Sequence, residues 1–407
     1  MATFANITNQ DGIIKEYYMG NKVPNLTYPQ NPLYGLISKD REWSGENLRL
    51  PAQYQNPVGM SATFSTAQSN QAPSAYANFA ITPSAFYSLA SVTGPVILQT
   101  RNDRGAFVNV LTREINSSMR AHTNLMQAYL YGDGSGMLAQ VSAVDGTNVV
   151  TLKDKTMTAR FTPGMMITSC ADLTGGTPAT AVALTAVNRT AGTLTFDTAY
   201  PTGTVADWYL FMDGSYNNVP TGLAGWNPVT APTSGDSFWG VDRSVDPDRL
   251  AGARMGAKGL GMMQTLNTLA YKIFAISGKL PDICFLNPNK MTQLIAEIQG
   301  QSIFRPEPSS PGDAPSITYG GARVTTAWGD IKLHPDVYAP SQEVRMGRFE
   351  DASLYIQQDL VSIIEDDNQR ILRTASDDGI EVRIRSYFNM GFTDTAAWGV
   401  ADFDQAA

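Results

Sequence analysis

A chain of 407 residues with 43% apolar content is long enough to bury two or three domain cores. Its formal net charge of -8 offers duplex phosphates no obvious basic surface, which excludes nucleic-acid binding as the main task. An acidic wall can still enclose packed DNA, which it repels.

No apolar run reaches the ~18 residues of a membrane span, and the start MATFANITNQDG lacks a signal-peptide layout. The expectation is a protein that is neither exported nor membrane-bound. Cys170 and Cys284 are too far apart in sequence for a disulfide framework or a metal knuckle and read as buried thiols.

Residues 1–45 scatter Pro24, Tyr28, Pro29, Pro32 and Tyr34 without periodicity and read as an extended arm. Residues 46–98 are rich in Ser, Ala, Gln, Asn and Thr, with short alternations at Leu48 and Leu50 and at Phe79 and Ile81. That pattern predicts a long two-stranded hairpin. Such a ribbon has little core of its own, so it must lie on something. From Asn102 to Tyr131 the residues Phe107, Leu111, Ile115, Met119, His122, Met126 and Tyr129 recur every three or four positions. One long helix is predicted. The run Gly132-Asp133-Gly134-Ser135-Gly136 ends it, because its glycines supply the positive φ of a helix C-terminus.

Residues 138–222 form a β-rich block with runs at Val149–Leu152, Met165–Thr168, Val182–Val187, Leu194–Phe196 and Trp208–Met212. Asn188-Arg189-Thr190-Ala191-Gly192 between two alternating runs is a hairpin signal. The block reads as an insertion domain, with 217–242 as its Pro- and Gly-rich return linker. Asp246-Pro247, an N-cap followed by a first-turn proline, predicts a second long helix running to about Ile276. Within it Gly252, Gly256 and Gly259 imply that another backbone approaches closely. Ile283–Leu286 reads as a short buried strand, and Asn287-Pro288 opens a helix carrying Met291, Leu294, Ile295 and Ile298. Pro306–Pro315 is a loop, Ile317–Val324 resumes β structure, and in Glu381–Arg385 charged and β-branched residues fall on opposite faces. Long helices beside an antiparallel sheet make the fold class α+β.

The residues supply little chemistry. A hydrolytic triad needs a histidine, and only His122 and His334 exist. His122 lies on the apolar stripe of the long helix and reads as a hydrogen-bonded core histidine, while His334 precedes Pro335 in a predicted loop without a metal-ligand partner. No phosphate-binding glycine motif opens a helix. Glu365-Asp366-Asp367 and Asp377-Asp378 read as solvated turn acids. No catalytic, cofactor or metal site is predicted, and a structural component is expected.

The order of these elements resembles the major capsid proteins of tailed phages, whose fold is shared with herpesvirus capsids and encapsulins. The residues that carry the resemblance are Gly105-Ala106-Phe107-Val108 through Leu130-Tyr131-Gly132-Asp133-Gly134-Ser135-Gly136, similar to that family's spine helix and following turn. Gly222-Leu223-Ala224, Asp282–Asn287 and Arg383–Met390 extend it over nearly the whole chain.

The resemblance implies an N-terminal arm over 1–45, an extended E-loop over 46–98, a spine helix of the peripheral domain over 99–137 and an insertion over 138–222. Residues 223–407 then supply the axial domain and the remaining peripheral strands. It further implies hexamers and pentamers closing an icosahedral shell around double-stranded DNA, without sequence-specific binding. A separate scaffolding protein, a portal and decoration proteins are the implied partners, and the virion, assembled in the bacterial cytoplasm, is the implied location.

Some relatives weld subunits through an E-loop lysine, yet no lysine lies between Lys39 and Lys153 here. Contacts would instead include charge pairs in which Arg49, Arg101 or Arg104 take part. The competing readings are an encapsulin-type compartment and a β-rich carbohydrate-binding protein using Trp208 and Tyr209.

Overall fold

The computed structural model describes residues 31–94, 96, 110–145, 148–198, 200, 206–300, 322–326, 328–365, 372–373 and 378–406. The chain divides into two compact units: one of Met1–Pro29, Tyr87–Ala121 and Ile363–Ile384, the other of Gln30–Phe86, His122–Ser362 and Arg385–Ala407. The helix Val110–Leu130 and the strand Gly379–Phe392 each contribute to both.

In the first unit, Leu372 and Arg373 pair antiparallel with Glu381 and Ile380. The amide of Ile364 donates to the carbonyl of Arg383 at 2.8 Å. Val382 and Ile384 are buried while Arg383 is exposed, the alternation expected of a strand with one solvated face.

The described residues of the second unit take part in five β structures. Ser38–Asp40, within the predicted arm, runs parallel to Ala352–Ile356, which pairs antiparallel with the end of Gly379–Phe392. The ribbon pairs Leu48–Gln55 with Ala75–Ile81, in register from Leu48 opposite Ile81 to Gln55 opposite Ala75. It is shorter than the predicted 46–98: Ser84–Thr93 is a separate strand that pairs with Gly379–Phe392 instead of extending the ribbon.

The β-rich block is a closed six-stranded barrel in the order Tyr209–Met212, Met137–Asp145, Val149–Leu152, Thr193–Phe196, Val182–Asn188, Met166–Cys170. Closure leaves no sheet edge to protect. Val141, Val150, Leu152, Phe161, Ile167, Leu184, Leu194, Phe196 and Leu210 are among its buried apolar residues, each contributing roughly 1.5–3 kcal/mol through removal from water. The strand Met137–Asp145, directly after the glycine turn, was not legible in the sequence, because Gly136 and the small residues around it mask the alternation. The 188–192 hairpin forms as read: Asn188 Oδ1 accepts from the amides of Thr190 and Ala191, and Gly192 has φ +79°.

The axial sheet runs Ala253–Lys258, Trp398–Ala406, Glu343–Gly347, Ile283–Leu286, Gly329–Pro335, Ala322–Thr326. Leu266, Leu269 and Ile273 of the helix Met262–Ser277 and Leu294 of the helix Pro288–Gly300 pack on Cys284, Leu286, Leu333, Val344 and Met346. Gly261 brings no capping side chain to the first of these helices. Instead the carboxylate of Glu297, from the second, accepts from the amides of Met262 (2.7 Å) and Met263 (3.1 Å).

The predicted long helix from Asp246 to Ile276 does not exist as one element. It is a four-residue turn Pro247–Leu250, then the strand Ala253–Lys258, then Met262–Ser277. Gly252 and Gly259 break it with φ of +76° and +83°. The expectation of close backbone approach holds: a side chain at Gly256 would collide with the carbonyl of Ala406 on the paired strand. His334 likewise sits on a strand, Gly329–Pro335, and not in a loop. The return linker contains the helical turn Leu223–Trp226 and the small hairpin Ser237–Phe238 with Val241–Asp242.

Candidate intersubunit surfaces

The ribbon is anchored at its base and bare at its tip. At the base Phe79 meets Trp226 (5.1 Å between ring centroids), Trp226 stacks on Phe392 (5.4 Å), and Phe392 stacks on Trp398 (5.2 Å). The indole N–H of Trp226 donates to the carbonyl of Met390 at 2.9 Å, so this buried ring is both packed and satisfied. Beyond Gln55 the strands are joined only by the bridge between Val58 and Ala72 and by the short helix Phe64–Ser69. There Met60 is 84% and Phe64 83% exposed. Both apolar side chains stand in solvent at the tip.

Arg49 is exposed on the ribbon and forms no ion pair among the described residues. Arg101 and Arg104 lie outside the described residues, as do Asp366, Asp367 and Asp377. A second apolar patch lies on the helix Met262–Ser277, where Phe274 stacks on Trp328 (5.3 Å) and Tyr271 lies against the same ring (5.4 Å).

The glycine turn after the long helix is a packing joint. Gly134 and Gly136 have φ of +97° and +87°. Asp133 Oδ1 accepts from the Ser135 amide at 2.9 Å. A side chain at Gly222 would strike the carbonyl of Leu130, and the Gly222 amide donates to that of Gly132 at 3.1 Å. The barrel's two connections therefore lie side by side at the end of the helix.

Beside this joint is a buried polar network of which the residue pattern carries no sign. Arg160, on a turn of the barrel segment, donates to the carbonyls of Leu138 (3.1 Å) and Tyr338 (2.6 Å). Fully buried Asp336 accepts from the Tyr131 hydroxyl (2.8 Å), the Tyr338 amide (2.9 Å) and the Gln127 amide group. Burial raises the Asp336 pKa above the usual carboxylate value, against the lowering effect of its donors and of Arg160. Gln127 Oε1 also accepts from the Tyr34 amide at 2.7 Å, which ties the short helix Pro32–Leu36, within the predicted arm, to the same network.

His122 is buried, as expected, with Nε2 2.9 Å from Ser386 Oγ and its ring against Phe86. Burial pushes its pKa down to about 4. The native state therefore binds fewer protons than the unfolded chain, and stability falls as pH drops from about 6.5 towards 4. The loss amounts to roughly 3 kcal/mol when complete. Urea midpoints of His122→Gln measured against pH should lack this component while the unsubstituted chain shows it.

Cys170 and Cys284 are free and buried, as read. Among the described residues no group of three or more His, Cys, Asp or Glu could hold a metal ion, and no helix is long and apolar enough to cross a membrane. Two open cavities stand out among the described residues. One, of about 540 Å³, runs between Ala52–Asn56 of the ribbon and a wall of Arg249, Lys279, Asp351 and Asp394. There Lys279 is held by Asp394 (2.8 Å) and Asp351 (3.3 Å). The other, of about 830 Å³, opens on the barrel between Met166, Pro178–Ala181 and Asp213–Asn218. Trp208 and Tyr209 line neither.

No family model and no curated protein matches the chain. Among solved structures, the capsid asymmetric unit of Cyanophage A-1(L) aligns over 99% of this chain and 100% of its own at 11% identity, with a TM-score of 0.60. The capsid of a native GTA particle aligns over 99% of each chain at 9% identity and a TM-score of 0.51. The holo-SrpI encapsulin complex of Synechococcus elongatus PCC 7942 aligns over 99% and 96% at 8% identity with a TM-score of 0.47, too low to weigh. The chain has the tailed-phage capsid fold, as the resemblance of its spine helix and glycine turn implied.

Proposed function

We propose that the chain is the major capsid protein of a tailed phage, whose copies gather as hexamers and pentamers and close an icosahedral shell around double-stranded DNA. The observation that carries this reading is the end-to-end alignment with a cyanophage capsid subunit. The exposed ribbon tip supports it, since Met60 and Phe64 are left for another copy to cover. In this reading 1–45 is the arm, 46–98 the E-loop, 99–137 the spine, 138–222 the insertion and 223–407 the axial domain with the remaining peripheral strands. A scaffolding protein, a portal and decoration proteins complete the particle, which assembles in the host cytoplasm and persists as the virion shell. The subunit works by self-association and not by catalysis.

Negative-stain microscopy of the expressed chain tests this: uniform shells or capsomers are expected, and a dispersed monomer at high concentration would overturn it. Enzyme cargo co-purifying inside shells would instead favour an encapsulin.

The ribbon also lacks the nucleophile for covalent welding, because no lysine lies between Lys39 and Lys153. The shell must be held by buried apolar area and by many individually weak contacts. Particles boiled in detergent under reducing conditions should run as a single band at the mass of one chain, whereas a ladder of multimers would show that residues elsewhere perform the welding.

A further inference from the structure

The cavity on the barrel has a composition that neither the fold nor the shell reading requires. Its lining includes small groups, Thr168 and Pro178–Ala181, with the Thr168 hydroxyl donating to the Ala179 carbonyl. Met166, half-exposed, lines it as well. So do Tyr216 and the exposed residues Asp213, Asn217 and Asn218.

Tyr216 is fixed from two directions. Its ring meets Phe211 edge to face at 4.9 Å, and its hydroxyl accepts from the Gly176 amide (2.9 Å) and donates to the Asp172 carbonyl (3.2 Å). Asn217 is held in the left-handed region, φ +53°, with its amide donating to the Ser135 carbonyl at 2.8 Å. Asparagine adopts that region more readily than other non-glycine residues, so the turn holds it without notable strain.

We propose that this cavity binds a neutral carbohydrate. A sugar presents an apolar C–H face and a rim of hydroxyls that both donate and accept. The cavity offers the matching pair: an anchored aromatic ring with a thioether for the face, and two amides and a carboxylate for the rim. No lysine or arginine lines it, and Asp213 would repel a phosphate or another anionic ligand. Because Tyr216 is already fixed, little side-chain entropy is lost on binding. The site is separate from the Trp208–Tyr209 face, and the inference stands whether or not the chain forms shells.

The test uses the full-length chain, titrated with maltoheptaose, mannohexaose and chitohexaose by calorimetry. Saturable binding of at least one of the three is expected. Asn218→Ala and, separately, Asp213→Asn should each weaken it about tenfold, the loss of one hydrogen-bonding group, with the thermal melt unchanged. Absence of saturable binding by all three up to about 10 mM would overturn the proposal. So would binding that both variants leave intact, which would place the sugar elsewhere on the chain.

Discussion

The double substitution Met60→Ser and Phe64→Ser is expected to abolish shell formation and leave the subunit folded. Both side chains stand almost wholly in solvent at the ribbon tip, so replacing them removes little from the isolated subunit and should shift its stability by less than about 0.5 kcal/mol. Covered by a second copy, each would contribute roughly 1.5–3 kcal/mol. Every subunit repeats that contact, so the loss is multiplied through the closed shell. Deleting 57–73 takes the same tip away while sparing the paired strands Leu48–Gln55 and Ala75–Ile81, and should give the same phenotype. Sedimentation with circular dichroism decides the outcome. Normal shells from either variant would mean that the ribbon tip is not an intersubunit anchor, whereas an unfolded subunit would mean that the tip holds its own chain together.

What the sequence disclosed was governed by how local the determining interactions are. The Asn188 hairpin and the Asn287-Pro288 helix start depend on residues within one or two turns of each other, and each forms where the pattern placed it, while of the long helix predicted over 102–131 the described part, Val110–Leu130, is helical and 102–109 lie outside the described residues. The false long helix from Asp246 to Ile276 shows the limit. Its apolar spacing fits both periods, and what converts 253–258 into a strand is a partner far along the chain, Trp398–Ala406. The glycines there signalled close approach without saying to what. Barrel closure was hidden for the same reason, since the pairing of Tyr209–Met212 with both Met137–Asp145 and Met166–Cys170 is wholly non-local. Of the candidate contact residues, Arg49 could be named from its place on a polar ribbon. Met60 and Phe64 could not be singled out, because an apolar residue in a strand-poor segment reads equally well as buried.

Arg160→Ala should destabilise the subunit by about 3–5 kcal/mol, the usual cost of stripping one partner from a buried charged group. The guanidinium ties the barrel segment to the 336–343 turn through the carbonyls of Leu138 and Tyr338. Its removal leaves both carbonyls buried without that donor, and withdraws the cation that opposes the upward pKa shift of Asp336. The pH dependence separates this cause from a mere cavity. Asp336 has a folded pKa above its unfolded value, so the native state holds its proton more tightly and stability declines as pH rises through that interval. Without Arg160 the interval widens upward. The deficit of the variant relative to the unsubstituted chain should therefore grow as pH rises above the ordinary carboxylate value. The acid loss due to His122 is common to both proteins and cancels in the difference. Chemical denaturation of the two chains across that range measures it: a deficit independent of pH would show that Arg160 acts through its hydrogen bonds and volume alone, and that the charge on Asp336 is not part of what it holds in place.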